Sequence, residues 1–173
     1  MRKALLVILG IWSLSGMVFG QSRSIYGYPG VNLGMSINDF LRQNGNAVEN
    51  NNTGINNVKV FSIDRNNNIE RTEFHFYQER LFRVSLMIDT NEIPLSDFIN
   101  NIRMIYGNFD DEKEEFENTM GMNLRIVTLQ RNYNRNFNIT ILIQEIYSGG
   151  NLIQQLYNCL YYDPVIANIV RSQ

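Results

Sequence analysis

Two stretches of strict alternation on either side of a short turn constrain this chain most. Thr72, Phe74 and Phe76 alternate with Arg71, Glu73, His75 and Tyr77; after the turn, Phe82, Val84, Leu86 and Ile88 alternate with Arg83, Ser85, Met87 and Asp89. A period of two places one set on a buried face and the other on the opposite face of an antiparallel pair. The turn must respect that partition. A two-residue loop at Gln78-Glu79 would set Phe76 against Leu81 but Phe74 against Arg83, mixing the faces. Because the buried face dictates register, the sequence predicts a three-residue loop, Gln78–Arg80, or an equivalent bulge, so that Phe76 opposes Phe82, Phe74 opposes Val84 and His75 opposes Arg83.

The same reading extends outward. Val58–Asp64 is a strand closed by the turn signal Asp64–Asn68. Later strands fall near Leu124–Gln130, Phe137–Ile146 and Leu152–Tyr162, the middle one carrying Phe137, Ile139, Ile141 and Ile143 on one face. Three helices punctuate them. Ser36 caps a short helix with Asp39 three residues on, and Ile37, Phe40 and Leu41 form its apolar stripe before Gly45. Leu95–Tyr106 places Leu95, Phe98, Ile99, Ile102, Ile105 and Tyr106 at helical spacing between Pro94 and Gly107. Asp163 and Pro164 open a last short helix through Val170. Residues 108–121 are acidic and read as a solvated connector, since their carboxylate run Asp110–Glu117 is contiguous and without glycine and does not match a calcium loop.

The order helix, three strands, helix, three strands, short helix predicts an α+β fold, a two-layer antiparallel sheet with helices on one face. It also suggests an approximate helix-plus-three-strands duplication, with pseudo-repeats at about residues 33–90 and 94–162 in a single domain spanning 33–173. The expected core takes Phe40, Leu41, Phe74, Phe76, Phe82, Val84 and Leu86 from the first half. From the second it takes Phe98, Ile99, Ile102, Ile105, Ile139, Ile141 and Ile143.

The beginning of the chain addresses it for export. Met1-Arg2-Lys3 is a positive start, Ala4–Trp12 an apolar run, and Val18-Phe19-Gly20 a junction before Gln21. This is the three-part plan of a cleavable signal peptide over residues 1–20. Ser13, Ser15 and Gly16 interrupt the run well short of the roughly 20 apolar residues of a spanning helix, so no stable membrane span is expected after cleavage. The expected location is the periplasm or the medium. Residues 21–32, polar, aromatic and glycine-bearing, read as an N-terminal tether or a strand that docks late. Cys159 is the single cysteine, so no internal disulfide forms and the core alone must hold the fold. The whole chain has 15 basic and 17 acidic side chains, net −2, and loss of Arg2 and Lys3 makes the balance more negative. Nucleic acid, which calls for a basic face, is therefore not an expected partner.

The export signal, the helix start Gly34-Met35-Ser36-x-x-Asp39-Phe40-Leu41 and the helix-then-hairpin order resemble small bacterial envelope domains. The outer-membrane assembly lipoprotein BamE and the β-lactamase-inhibitor-protein fold are of this kind. The resemblance covers about residues 33–90, with a looser echo to residue 162, and implies an α+β domain of the envelope. It transfers no functional residue, and the lipid-bearing cysteine of such a lipoprotein is missing at this junction.

Chemistry is sparse. His75 is the only histidine; Glu73 shares its face, but two ligands fall short of a zinc site. Cys159 between Tyr157 and Tyr161 reads as a small apolar residue, because a catalytic thiol needs a histidine and an electropositive pocket. No phosphate loop, nucleophile elbow or dinucleotide fingerprint is present. The sequence therefore predicts a non-catalytic exported binding module without cofactor or metal, whose partner is another envelope protein or a ligand. The alternative is a hydrolase using carboxylates. The predicted partner-binding residues are His75, Tyr77 and Arg83, on the sheet face left open if both longer helices cover the other; the tyrosines of the last strand, Tyr157, Tyr161 and Tyr162, are the fallback. Intact-mass measurement on protein recovered from the periplasm or medium should give a chain starting within two residues of Gln21; retention of Met1–Gly20 contradicts the export reading.

Overall fold

The computed structural model describes residues 24–50, 55–119 and 122–173. The expected signal peptide and the start at Gln21 lie outside the described residues. After α1 (Ile37–Gln43) come β1 (Val48–Asn50), β2 (Val58–Asn66), β3 (Ile69–Tyr77) and β4 (Arg80–Ile88). Then follow α2 (Leu95–Tyr106), β5 (Asp111–Thr119), β6 (Met122–Asn134), β7 (Phe137–Ser148), β8 (Asn151–Tyr162) and α3 (Pro164–Arg171). All eight strands form one antiparallel sheet in the order β1-β2-β3-β4-β8-β7-β6-β5. Each half is a helix followed by a meander, and the last strands of the two meanders pair at the centre, Leu86 opposite Cys159 and Val84 opposite Tyr161.

This corrects the expected fold class. The chain is β-dominated, built on a single eight-stranded sheet with three short helices, and those helices do not share one face. Each half contributes four strands rather than three. The acidic segment taken as a connector is β5, a charged edge strand whose residues Asp111–Asn118 are all exposed. Charges along an edge discourage further strands from adding there.

The main core lies under α1 and α2. Ser36 Oγ accepts from Asp39 N (3.1 Å) and starts α1 as the capping pattern requires. Phe40 then packs on Phe74 and Phe76 with ring centroids 4.5 and 5.3 Å away. From α2, Phe98, Ile102 and Tyr106 are buried, and the Tyr106 ring stacks on Phe137 at 5.9 Å. Tyr106 takes the place on the core stripe expected for Ile105, which is 40% exposed; Leu41 and Ile99 are only partly buried. Residues 24–32 pack on the same face through Ile25, Tyr28 and Val31. Tyr106 Oη donates to Ser24 O (2.7 Å), tying that segment to α2. Gly27 has φ +77°, and a Cβ there would lie 2.5 Å from Ile69 Cδ1, so the segment can approach β3 only with glycine at this position.

The turn between β3 and β4 meets the register problem with a bulge. Tyr77 pairs with Arg80 across Gln78-Glu79, both at positive φ (47° and 65°), as a type I′ turn requires. Phe76 then opposes Leu81 rather than the expected Phe82, His75 opposes Arg83, and Phe82 is the extra residue. Phe74 still faces Val84, as the alternation demands. Phe82 is buried, but in a second cluster on the opposite face, with Val58 and Val60.

Left-handed backbone is unfavourable for Gln and Glu and suits Asn-Gly. The double substitution Gln78→Asn, Glu79→Gly should therefore stabilise the protein by about 1 kcal/mol in urea unfolding. Destabilisation by a similar amount would contradict the type I′ assignment.

Candidate functional site: a cleft under the last helix

The face opposite the main core is ordered by sheet register. Across neighbouring strands, Val60, His75, Arg83 and Tyr162 form one row, and Ser62, Glu73, Ser85 and Leu160 the next. In a regular ladder the residue before Arg83 would point into the main core. The bulge turns Phe82 to the Arg83 side instead, where its ring meets His75 and Tyr77 edge-on at 6.3 and 6.5 Å.

Phe82 also anchors α3. Its carbonyl accepts from Asp163 N (2.8 Å), and Asp163 Oδ1 caps the helix by accepting from Val165 N and Ile166 N. Ile166 and Val170 settle on Val58, Val60 and Phe82. Beyond the helix, Gln173 Nε2 donates to Tyr77 Oη (2.9 Å). The face expected to lie open thus carries a helix of its own chain. No α3 residue is fully buried, and Val165 and Ile169 on its outer side are 47% and 44% exposed.

Between α3 and the sheet is a cleft of about 560 Å³, within the usual size range of small-molecule sites. Its apolar wall includes Val58, Val60, Phe82, Leu160, Ala167 and Val170, and its polar groups include Glu73, His75, Arg83, Thr140, Tyr162 and Arg171. Of the three sequence-predicted site residues, His75 and Arg83 line the cleft. Tyr77 lies at its edge, packed on Phe82 and held by Gln173.

The polar groups on the floor are incompletely matched. His75 Nε2 and Arg83 Nε are buried without a hydrogen-bond partner. Glu73 Oε2 lies 3.5 Å from His75 Nε2 but out of hydrogen-bonding geometry, and Glu73 Oε1 is engaged by Arg71 Nη2 at 3.3 Å. Burial, and then the Arg83 charge, lower the His75 pKa to about 4, so the imidazole is neutral at pH 7. Arg83 is pushed down by burial and by Arg171 and pulled up by Glu73, yet a guanidinium remains charged throughout the working range.

The cluster around Glu145 contrasts with this, although Arg131 Nε, Asn32 Oδ1 and Tyr161 Oη elsewhere are also buried without a hydrogen-bond partner. On the main-core face, Arg125 bridges Glu114 (2.5 Å) and Glu145 (2.8 Å), and Glu145 also accepts from Tyr147 Oη and Gln155 Nε2. Burial favours the protonated form of Glu145, but these bonds outweigh it and hold the carboxyl below its ordinary pKa. Its donors and acceptors are matched, and it fastens β5 through β8 together. Cys159 is fully buried in the main core, and burial pushes its thiol up to about 12, so it is no thiolate nucleophile. Tyr157 and Tyr161 are buried on that side as well, leaving Tyr162 alone of the fallback tyrosines on the cleft. Among the described residues no group of three His, Cys, Asp or Glu is placed to hold a metal, and no helix is long and apolar enough to cross a membrane.

Sequence reasoning did not find Arg171, Val170 or Leu160 as neighbours of His75. The available signal was apolar residues on both faces of one strand: Val58 and Val60 alternate with Phe61 and Ile63, which only a sheet covered on both sides accommodates.

A histidine buried neutral adds stability that is complete above its unfolded pKa of 6.5 and is lost as pH falls toward about 4, because the unfolded chain takes up the proton first. Burial and the Arg83 charge disfavour the imidazolium, and Glu73 Oε2 lies 3.5 Å from Nε2. Between pH 7.5 and 4.5, wild type should lose up to about 2 kcal/mol more unfolding free energy than His75→Gln. Equal losses would show that His75 titrates normally.

No family model, curated protein or solved structure matches this chain.

Proposed function

We propose that the chain is an exported, non-catalytic binding module whose ligand occupies the cleft between α3 and the sheet. The observation that carries this reading is the pair of unmatched buried polar atoms, His75 Nε2 and Arg83 Nε, at the floor of a cleft half of whose lining is apolar. A buried polar atom without a partner costs roughly 1–3 kcal/mol. The Arg125–Glu145 network on the other face is matched, and a ligand in the cleft would supply an acceptor for Arg83 Nε. The absence of a carboxylate partner for Glu73 in the cleft lining also favours binding over hydrolysis, since glycosidase-type chemistry needs two facing acids.

Native mass spectrometry of protein recovered from its own envelope fraction tests the proposal. The wild type should carry a non-covalent adduct that unfolding releases. Ala167→Trp, which fills the cleft from α3, should lack the adduct while keeping its thermal midpoint within a few degrees. Equal adduct on this variant would place the binding site elsewhere.

A further inference from the structure

The chemistry of the cleft narrows the ligand further, on the premise that the cleft is the binding site. At neutral pH the described lining carries the cations Arg83 and Arg171 and the anion Glu73, with His75 uncharged. Glu73 is shared with Arg71, so the balance in the cleft is positive and calls for an anionic head. The free donor on Arg83 is Nε–H, which together with a neighbouring Nη–H forms the side-on fork that matches the two oxygens of a carboxylate. Arg71, the nearby third cation, is already committed to Glu73 at 3.3 Å.

Beside these charges and the neutral polar groups of Asn50, Thr140 and Tyr162, the cleft has an apolar wall. Val58, Val60 and Phe82 form one side, Leu160 lies across the sheet, and Ala167 and Val170 form the roof. A bare inorganic anion would leave those surfaces uncovered, and a neutral hydrocarbon would leave the Arg83 donor unmet. We infer that the cleft takes an amphiphilic monocarboxylate, its carboxylate on Arg83 and Arg171 and its apolar body between α3 and β2. The helix is suited to admitting such a body: no α3 residue is fully buried, and it is fixed at its ends by Asp163 on Phe82 and Gln173 on Tyr77.

The probe is dodecanoate below its micelle-forming concentration, titrated calorimetrically into the full mature protein. Acetate, dodecyltrimethylammonium and dodecyl phosphate serve as comparison ligands. Dodecanoate should bind at one site per chain, with acetate and dodecyltrimethylammonium about 100-fold weaker or undetectable. Arg83→Met, which keeps the length of the side chain, and Arg171→Ala should each weaken dodecanoate binding by about 10–100-fold, with thermal midpoints showing that both variants are folded. Equal binding of the cationic amphiphile, unchanged affinity in folded Arg83→Met, or tighter binding of dodecyl phosphate overturns the monocarboxylate assignment. Absence of dodecanoate binding overturns it as well. Those results leave the cleft itself in place if Ala167→Trp still removes the native adduct. Dodecanoate binding that survives Ala167→Trp overturns the cleft as the site.

Discussion

One extra residue in β4 decides how this molecule is built on its second face. Phe82 has no partner in the ladder between Phe76–Leu81 and His75–Arg83. The bulge lets a tight type I′ turn coexist with a register that keeps Phe74 against Val84. It also puts Phe82 and Arg83 on the same side. Phe82 then supplies both the apolar seat and the backbone acceptor for α3, while Arg83 is carried beneath the helix into a poorly solvated place. Without the bulge, Phe82 would belong to the main core and α3 would lose its anchor.

The sheet is thereby loaded unevenly. On the α1 and α2 side, rings from Phe40, Phe74, Phe98, Tyr106 and Tyr161 are buried together with Ile25 from the N-terminal segment and Ile69 from β3. Burial of side chains this large contributes roughly 2–3 kcal/mol each before conformational entropy is charged against it. On the other side, the cluster consists of Val58, Val60 and Phe82, with Ile166 and Val170 only partly buried. The fold is therefore held from one face, which leaves the other face free to hold a cleft with unmatched polar groups. The central β4–β8 pairing joins the two meanders and brings Leu160 and Tyr162 beside Ser85 and Arg83, so the cleft draws its floor from both halves of the chain.

What could be read from the sequence was local. The capping of α1 by Ser36, the start of α3 at Asp163 and Pro164, the facing of Phe74 with Val84, and the neighbours His75 and Arg83 all follow from spacings of a few residues. What could not be read was set by tertiary contact. β5 carries charge on both faces, with Phe116 its lone aromatic and itself 71% exposed; a strand paired only through its backbone at an edge leaves no alternating signature. The side on which α3 would settle depended on the direction of Phe82, and that direction follows from the bulge rather than from alternation. Expecting all helices on one face amounted to assuming an unbroken ladder. Ile105 was misplaced by a smaller effect: Tyr106, next to it, reaches Phe137 and Tyr161 and claims the buried side of the turn.

The central claim is that Arg83, whose buried Nε–H has no partner at the floor of the cleft, receives the ligand's anionic head. Arginine side-chain NMR reads this directly, since Nε–H resonances report the hydrogen bond at each guanidinium. On addition of dodecanoate, the Arg83 Nε–H signal should move markedly downfield with saturable, one-site behaviour, while that of the already matched Arg125 stays in place. An unmoved Arg83 signal in a sample whose α3 methyl resonances do shift would mean that the apolar body binds without the charge, and would contradict the account.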